Sequence, residues 1–208
     1  MNKSNLLLTI ARKGSLITET GFSGYDFCLN TYVGCQFGCA YCYVRWFIKD
    51  KQRPWGEFVR RREHVVKRLP KELPDIVGQR LVLGTMTDPY QPEERKHRLT
   101  RKALGIISKS KTKPRKIGIF TRSPIILDDI ELLQKLPRMK VHFTIPPIPR
   151  DVSVKIEQIP IQMNARFSVI KQLKQAGIIV AVNFAPCNPD SVGYDDAVSR
   201  RNACTTRC

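Results

Sequence analysis

The chain has 208 residues, 42% of them hydrophobic, which suits one sizeable core and is short for two domains. Its 36 lysines and arginines outnumber 18 acidic residues for a net charge of +18, so polyanions such as DNA or RNA are open to it as partners, the plain alternative being a solvated basic surface. Seven cysteines, an odd number with three crowded into one loop, argue against a framework of paired disulfides, and the apolar run from Leu6 to Ala11 is too short for a signal segment or a membrane span. Together these point to a reducing cytosol and no membrane partner, a setting where clustered cysteines more often hold metal than pair with one another.

In chain order, the segment from Phe27 to Val33 reads as a first strand that delivers the chain into the cysteine loop. A charged, mixed helical region from Tyr43 to about Leu69 is its expected crossover. Short apolar runs then alternate with segments of helical period, the pattern of repeated β/α units and a parallel sheet. The strands expected are residues 80–84, 116–121, 140–145 and 178–184. Between the first two of these, Thr100 is placed to cap a helix carrying Ala103, Leu104 and Ile107. Asp128 and Asp129 suit the first turn of the next, which carries Ile130, Leu133 and Leu136 and stops at Pro137. Pro146, Pro147 and Pro149 break the chain after the fourth strand. Ala165, Val169, Ile170, Leu173 and Ala176 recur at helical spacing, and Gly177 supplies a left-handed stop before the fifth strand. After Pro186 the sequence turns polar and basic. The expectation is a core domain over 1–186, with 1–26 as an N-terminal strap, followed over 187–208 by an irregular or disordered tail or the cut end of a longer product.

Chemistry concentrates in Cys35, Cys39 and Cys42, spaced C-x3-C-x2-C. Thiolates are soft ligands for zinc, copper or iron–sulfur clusters. A structural zinc site wants four closed ligands, and no second pair follows at finger spacing, so a fourth would have to come from Cys28, Cys187, Cys204 or Cys208 after folding. On that alternative the chain is a basic nucleic-acid-binding or zinc-binding module. A cubane cluster held by three cysteines instead leaves one iron open, which separates a reaction centre from a structural one.

The motif, with Tyr41 just before its last cysteine, resembles the signature of radical S-adenosylmethionine (SAM) enzymes. Four blocks in order extend the likeness: "LITETGFSGYDFCLNTYVGCQFGCAYCYVR", "LGTMTDPYQPEERKHRLTRKAL", "FTRSPIILDDIELL" and "ARFSVIKQLKQAGIIVAVNFAP". They resemble the spore photoproduct lyase-like branch, of DNA repair photolyase type, over residues 15 to 186. The resemblance implies an α/β fold, a partial (β/α)6 TIM-like barrel ending after about five strands. It implies a [4Fe–4S] cluster on the three cysteines, SAM chelated to the open iron, and a one-electron reductant of flavodoxin or ferredoxin type. Reductive cleavage of SAM would yield a 5′-deoxyadenosyl radical that abstracts hydrogen from a substrate.

Position by position, the resemblance sets Tyr41 against the adenine. Gly84, Thr85, Thr87 and Asp88 fall on the segment lining the SAM amino end, although Asp88 before Pro89 also reads as a turn. Arg122 stands where the branch usually carries lysine and is suited to pair with the SAM carboxylate, and Arg166 matches a basic family position. Thr85 stands where the lyases carry a hydrogen-donating cysteine, a role closed to an alcohol because its O–H bond is much stronger than a thiol S–H. Cys187 is the alternative donor expected near the barrel mouth. Trp46, Phe47 and Trp55 suit either base stacking or the core, Tyr90 and Gln91 are candidates to face substrate, and His97 and His142 read as packing or surface residues.

Overall fold

The computed structural model describes residues 7–10, 14–48, 50 and 53–185. The expected tail, with Cys187, Cys204 and Cys208, lies outside them.

Five parallel strands make the body of the molecule: β3 (Phe27–Leu29), β6 (Arg80–Leu83), β7 (Lys116–Thr121), β8 (Lys140–Ile145) and β9 (Ile179–Phe184). They neighbour one another in that order, and β2 (Ile17–Glu19) adds an antiparallel edge to β3, giving an open six-stranded sheet. A second sheet joins β1 (Leu7–Ile10), β5 (Phe58–Arg61) and β4 (Tyr32–Val33) in the order β1-β5-β4.

Register explains why the sheet has two unlike faces. Side chains alternate along each strand, and residues paired in a parallel ladder point the same way. Leu29, Leu83, Ile119 and Val141 stand side by side on one face. There they meet the apolar stripes of the helices α2 (Val65–Glu72), α4 (Leu99–Lys109) and α7 (Met163–Gln175), and one continuous core results. In β8 the rule is visible in burial: Val141, Phe143 and Ile145 are buried, while Lys140, His142 and Thr144 are only partly so. The other face carries Cys28, Val82 and Gly118, then Phe120 beside His142. The described helices that build the core lie on one side of the sheet, so this second face is the inner wall of a partial barrel. Tyr25 lies across its lower end. Gly118 makes room for the Tyr25 ring, where any Cβ would collide, and the Tyr25 hydroxyl bonds His142 Nε2 at 2.7 Å.

The α/β class and the five β/α strands are as the sequence implies, and four expectations change. The first strand is two: Phe27–Leu29 joins the main sheet, whereas Tyr32–Val33 leaves it to pair with β5. The expected helical crossover contains the strand β5 between the short helix α1 (Val44–Phe47) and α2, because Phe58 packs on Gly34 of the cysteine loop while Val59 buries with Tyr32 and Leu99. Thr100 lies inside α4, whose N-cap is Arg98 in the left-handed region at φ 53°. Its hydroxyl donates to Pro89 O at 2.7 Å instead of capping. Asp128 and Asp129 end a 3-10 turn (Pro124–Asp129), because Pro124 starts that turn early, and only then does α5 (Ile130–Leu133) begin. The α7 reading holds: Val169 and Leu173 are buried, and Gly177 turns the chain at φ +76°.

Candidate functional site

The C-terminal ends of parallel strands are where β/α folds gather function, because the loops there are free of the core. Here the loops after the first three parallel strands converge. The cysteine loop follows β3 and β4, Gly84 to Gln91 follow β6, and Arg122 follows β7.

The cysteine loop has little regular structure, so its shape comes from neighbours. Gly34 sits at φ +87° with the Phe58 backbone and ring where a Cβ would stand, so only glycine fits. Its carbonyl accepts from Thr87 Oγ1 at 2.6 Å, Gln91 Oε1 accepts from the Gln36 amide at 2.9 Å, and Gln36 Oε1 accepts from the Glu93 amide at 2.7 Å. From the far side, the segment after α6 (Arg150–Ile156) closes on it. Ala40 N donates to Ile156 O, Gln158 N donates to Phe37 O, and the Gln158 side chain wedges between Gly38 and Gly56. Cys35, Phe37 and Cys39 are thereby buried, packed with Tyr41, Cys42, Trp55, Ile159 and Ile161.

All three motif cysteines are free thiols. Burial raises each above its ordinary pKa, Cys39 to about 11 with the Arg122 cation opposing the rise. An iron–sulfur cluster supplies the positive charge that turns such thiols into thiolates, and the Arg122 guanidinium already stands beside them. Among the described residues no three His, Cys, Asp or Glu side chains converge on one point as ligands of a single ion. A cubane takes one thiolate per iron and so asks for sulfurs spread apart, whereas a zinc ion asks for them convergent. Cys28 is no fourth ligand in this arrangement; it stands on the inner wall, within 3.2 Å of Thr18 Oγ1.

Arg122 is the charged centre of the site. Its Nη1 donates to Tyr41 OH at 2.8 Å and to Glu157 Oε1, and its Cζ lies 5.9 Å and 5.6 Å from the Phe37 and Tyr41 ring centroids. Burial alone would lower its pKa, but Cys39, Tyr41 and Glu157 hold it above its ordinary value. Glu157 is fully buried and also takes Arg166 Nη2 at 3.0 Å and the Ser153 hydroxyl at 3.1 Å. Sequence reasoning missed it. A glutamate at the C-terminal end of α6 carries no periodicity or motif, and although Ser153 and Arg166 are near in the chain, Arg122 and Tyr41 lie 35 and 116 residues away.

The remaining expected residues divide into two groups. Gly84, at φ +88°, packs so closely on Phe120 O and Pro89 that no side chain fits, and it opens the inner wall at the strand end. Thr85 is buried there, its hydroxyl accepting from Asn30 Nδ2 at 3.0 Å and its carbonyl accepting from Tyr43 OH. Thr87, Asp88 and Arg166 are instead occupied as braces. Asp88 accepts from the Tyr90 amide at 2.9 Å, Thr121 Oγ1 at 2.7 Å and the Arg122 amide at 2.9 Å, so its turn ties two strand ends together. Arg166 is 1% exposed and donates to Ile161 O, Thr144 O and Glu157. Tyr90 and Gln91 are wholly buried, Tyr90 donating to Asp129 and Gln91 bracing the cysteine loop, so neither faces a substrate. Trp46 and Phe47 stand out in solvent at 72% and 73% exposure, while Trp55 packs with the cysteine loop.

The likenesses to known proteins agree with this geometry. An uncharacterised protein of Methanocaldococcus jannaschii is 30% identical over 185 residues, covering 86% of this chain and 67% of its own. One of the Acidianus two-tailed virus is 26% identical, over 81% of this chain and 58% of its own. Among solved structures, spore photoproduct lyase complexed with dinucleoside spore photoproduct superposes with a TM-score of 0.68 at 15% identity, over 88% of this chain and 52% of that one. The cobalamin-dependent S-adenosylmethionine radical enzyme OxsB follows at 0.52 and 10% identity, over 76% of this chain and 23% of its own. At such identities the structures speak for the fold, and the chain spans about half the length of the lyase it matches. The sequence model of the Radical SAM superfamily matches residues 29–190, from the last residue of the first parallel strand through the cysteine loop to beyond β9; this chain belongs to that superfamily.

Proposed function

We propose that the chain is the core of a radical SAM enzyme in which Cys35, Cys39 and Cys42 hold a [4Fe–4S] cluster. The observation that carries the reading is the trio of free thiols, two buried and Cys42 partly so, beside the Arg122 cation at the C-terminal ends of parallel strands. When bound and reduced, the cluster would supply the electron that cleaves SAM to methionine and a 5′-deoxyadenosyl radical, which abstracts hydrogen from the substrate. The chain's own part is to bind, orient and exclude water. Arg122 pairs with the SAM carboxylate, the Tyr41 segment lies along the adenine, and Gly84 lets backbone approach the ligand closely. Thr87, Asp88 and Arg166 serve the same pocket from behind by fixing the loops that carry these groups.

The substrate reading is nucleic acid, supported by the net charge of +18 and by the dinucleoside ligand of the structurally similar lyase. The chemistry would resemble that lyase in hydrogen abstraction and differ in how hydrogen is returned, since Thr85 carries no thiol. A flavodoxin- or ferredoxin-type protein in a reducing cytosol is the proposed electron source.

The test is anaerobic reconstitution with iron and sulfide, then SAM and dithionite, with 5′-deoxyadenosine as readout and Cys39→Ala as control. Formation that depends on Cys39 is expected. A protein that takes up zinc and no sulfide would instead be the binding module, and the enzymatic reading would fall.

A further inference from the structure

Glu157 does more than fill a polar hole. Its carboxylate is gripped by two guanidinia and two hydroxyls, from Arg122, Arg166, Tyr41 and Ser153, and its side chain is 0% exposed. Arg166 is itself held by two backbone carbonyls, so Glu157 is anchored from the wall of the barrel.

The asymmetry lies at Arg122. Nη1 makes all of that guanidinium's hydrogen bonds among the described residues, one to Tyr41 and one to Glu157, which uses both of its hydrogens. Nε and Nη2 are left as a two-pronged edge on a side chain that is 10% exposed. Elsewhere in this chain the same edge of Arg80 grips the Asp26 carboxylate, with Nε at 2.9 Å and Nη2 at 2.5 Å. Two cations and one anion leave this cluster of charges at +1.

We propose that Glu157 is a positioning residue that, by holding Nη1 of Arg122, aims the Nε–Nη2 edge at the carboxylate of SAM, an inference that rests on SAM binding at this site. Without Glu157 the guanidinium loses its fixed rotamer and faces Arg166 with no anion between them. A carboxylate ligand then meets a cation without a prepared fork.

The experiment is a double-mutant cycle on cluster-loaded protein, comparing wild type, E157Q, R122K and the double variant. SAM affinity is read by equilibrium dialysis, and KM and kcat by 5′-deoxyadenosine formation. E157Q is expected to weaken SAM binding about tenfold, chiefly in KM, with iron and sulfide content unchanged. R122K should lose about as much, and the double variant no more than R122K alone, because Glu157 acts through Arg122. Unchanged SAM affinity in E157Q, or a double loss equal to the product of the single losses, overturns the proposal. If E157Q does not fold, Ser153→Ala keeps the charge and removes one bond to Oε2. It should weaken SAM about twofold, and no change there counts equally against the role. Cluster-loaded wild type that takes up no SAM overturns the functional reading itself, whereas wild-type binding with an unimpaired E157Q overturns only the role of Glu157.

Discussion

Asn30 holds two strand ends with one amide group. Its Nδ2 donates to Thr85 Oγ1 in a buried setting, and its Oδ1 accepts from the Met86 amide at 3.0 Å in a partly buried one. Asn30→Ala strands a hydroxyl and an amide that water reaches poorly, at a cost of about 1–3 kcal/mol in urea unfolding. Asn30→Asp keeps the acceptor and should retain part of the loss. His142 makes a second residue-level prediction, through pH. Burial, with the Lys140 and Lys116 charges adding to it, lowers its pKa from 6.5 to about 4, and its ring bonds Tyr25 and stacks on Phe120. Between those values the unfolded chain binds a proton that the folded chain refuses, so stability is whole above pH 6.5 and falls as pH drops toward 4. Discounted for partial exposure, the fall is about 1 kcal/mol. In His142→Phe the urea midpoint should change less across that window than in wild type; equal profiles would remove His142 as the cause.

At the scale of elements, α7 and β9 depend on the turn between them. Gly177 stands at φ +76° with open space around it, so Gly177→Ala adds strain without a clash, about 1 kcal/mol by urea midpoint. This is also where the sequence is most readable. The helical period ending in glycine, and the apolar runs of β6 to β9, are local signals that tertiary packing reinforces. β5 was hidden because its two buried residues, Phe58 and Val59, sit among charges and next to a helix, where four residues make no period. Candidate-site legibility divides in the same way. Cys35, Cys39 and Cys42 announce themselves by spacing. Arg122 and Gly84 come from the family resemblance, which places them at the ends of readable strands. Glu157, Gln158 and Asn30 act through contacts that no spacing foretells, and Asp88 and Arg166 look like ligand groups until their partners within the protein are counted.

Taken whole, the molecule is a basic open half-barrel with a wall of helices on one side and an inner face on the other. No helix among the described residues is long and apolar enough to cross a membrane. With a charge of +18, binding to single-stranded polynucleotide should weaken about tenfold or more between 50 and 200 mM salt, whatever the base sequence. Affinity insensitive to salt would take charge out of the argument for a nucleic-acid substrate. The way Glu157 and Gln158 fold back on the cysteine loop has a further consequence, in the order of synthesis. Glu157 lies 116 residues beyond its hydrogen-bond partner Tyr41. At about 5–20 residues per second, the ribosome presents the three thiols roughly 6 to 23 s before the groups that shelter them. For that interval they are unprotected against oxygen and stray metal, and iron delivered to them finds no finished cradle. On the proposed reading, cluster loading would therefore be an event of the completed domain rather than of the nascent chain.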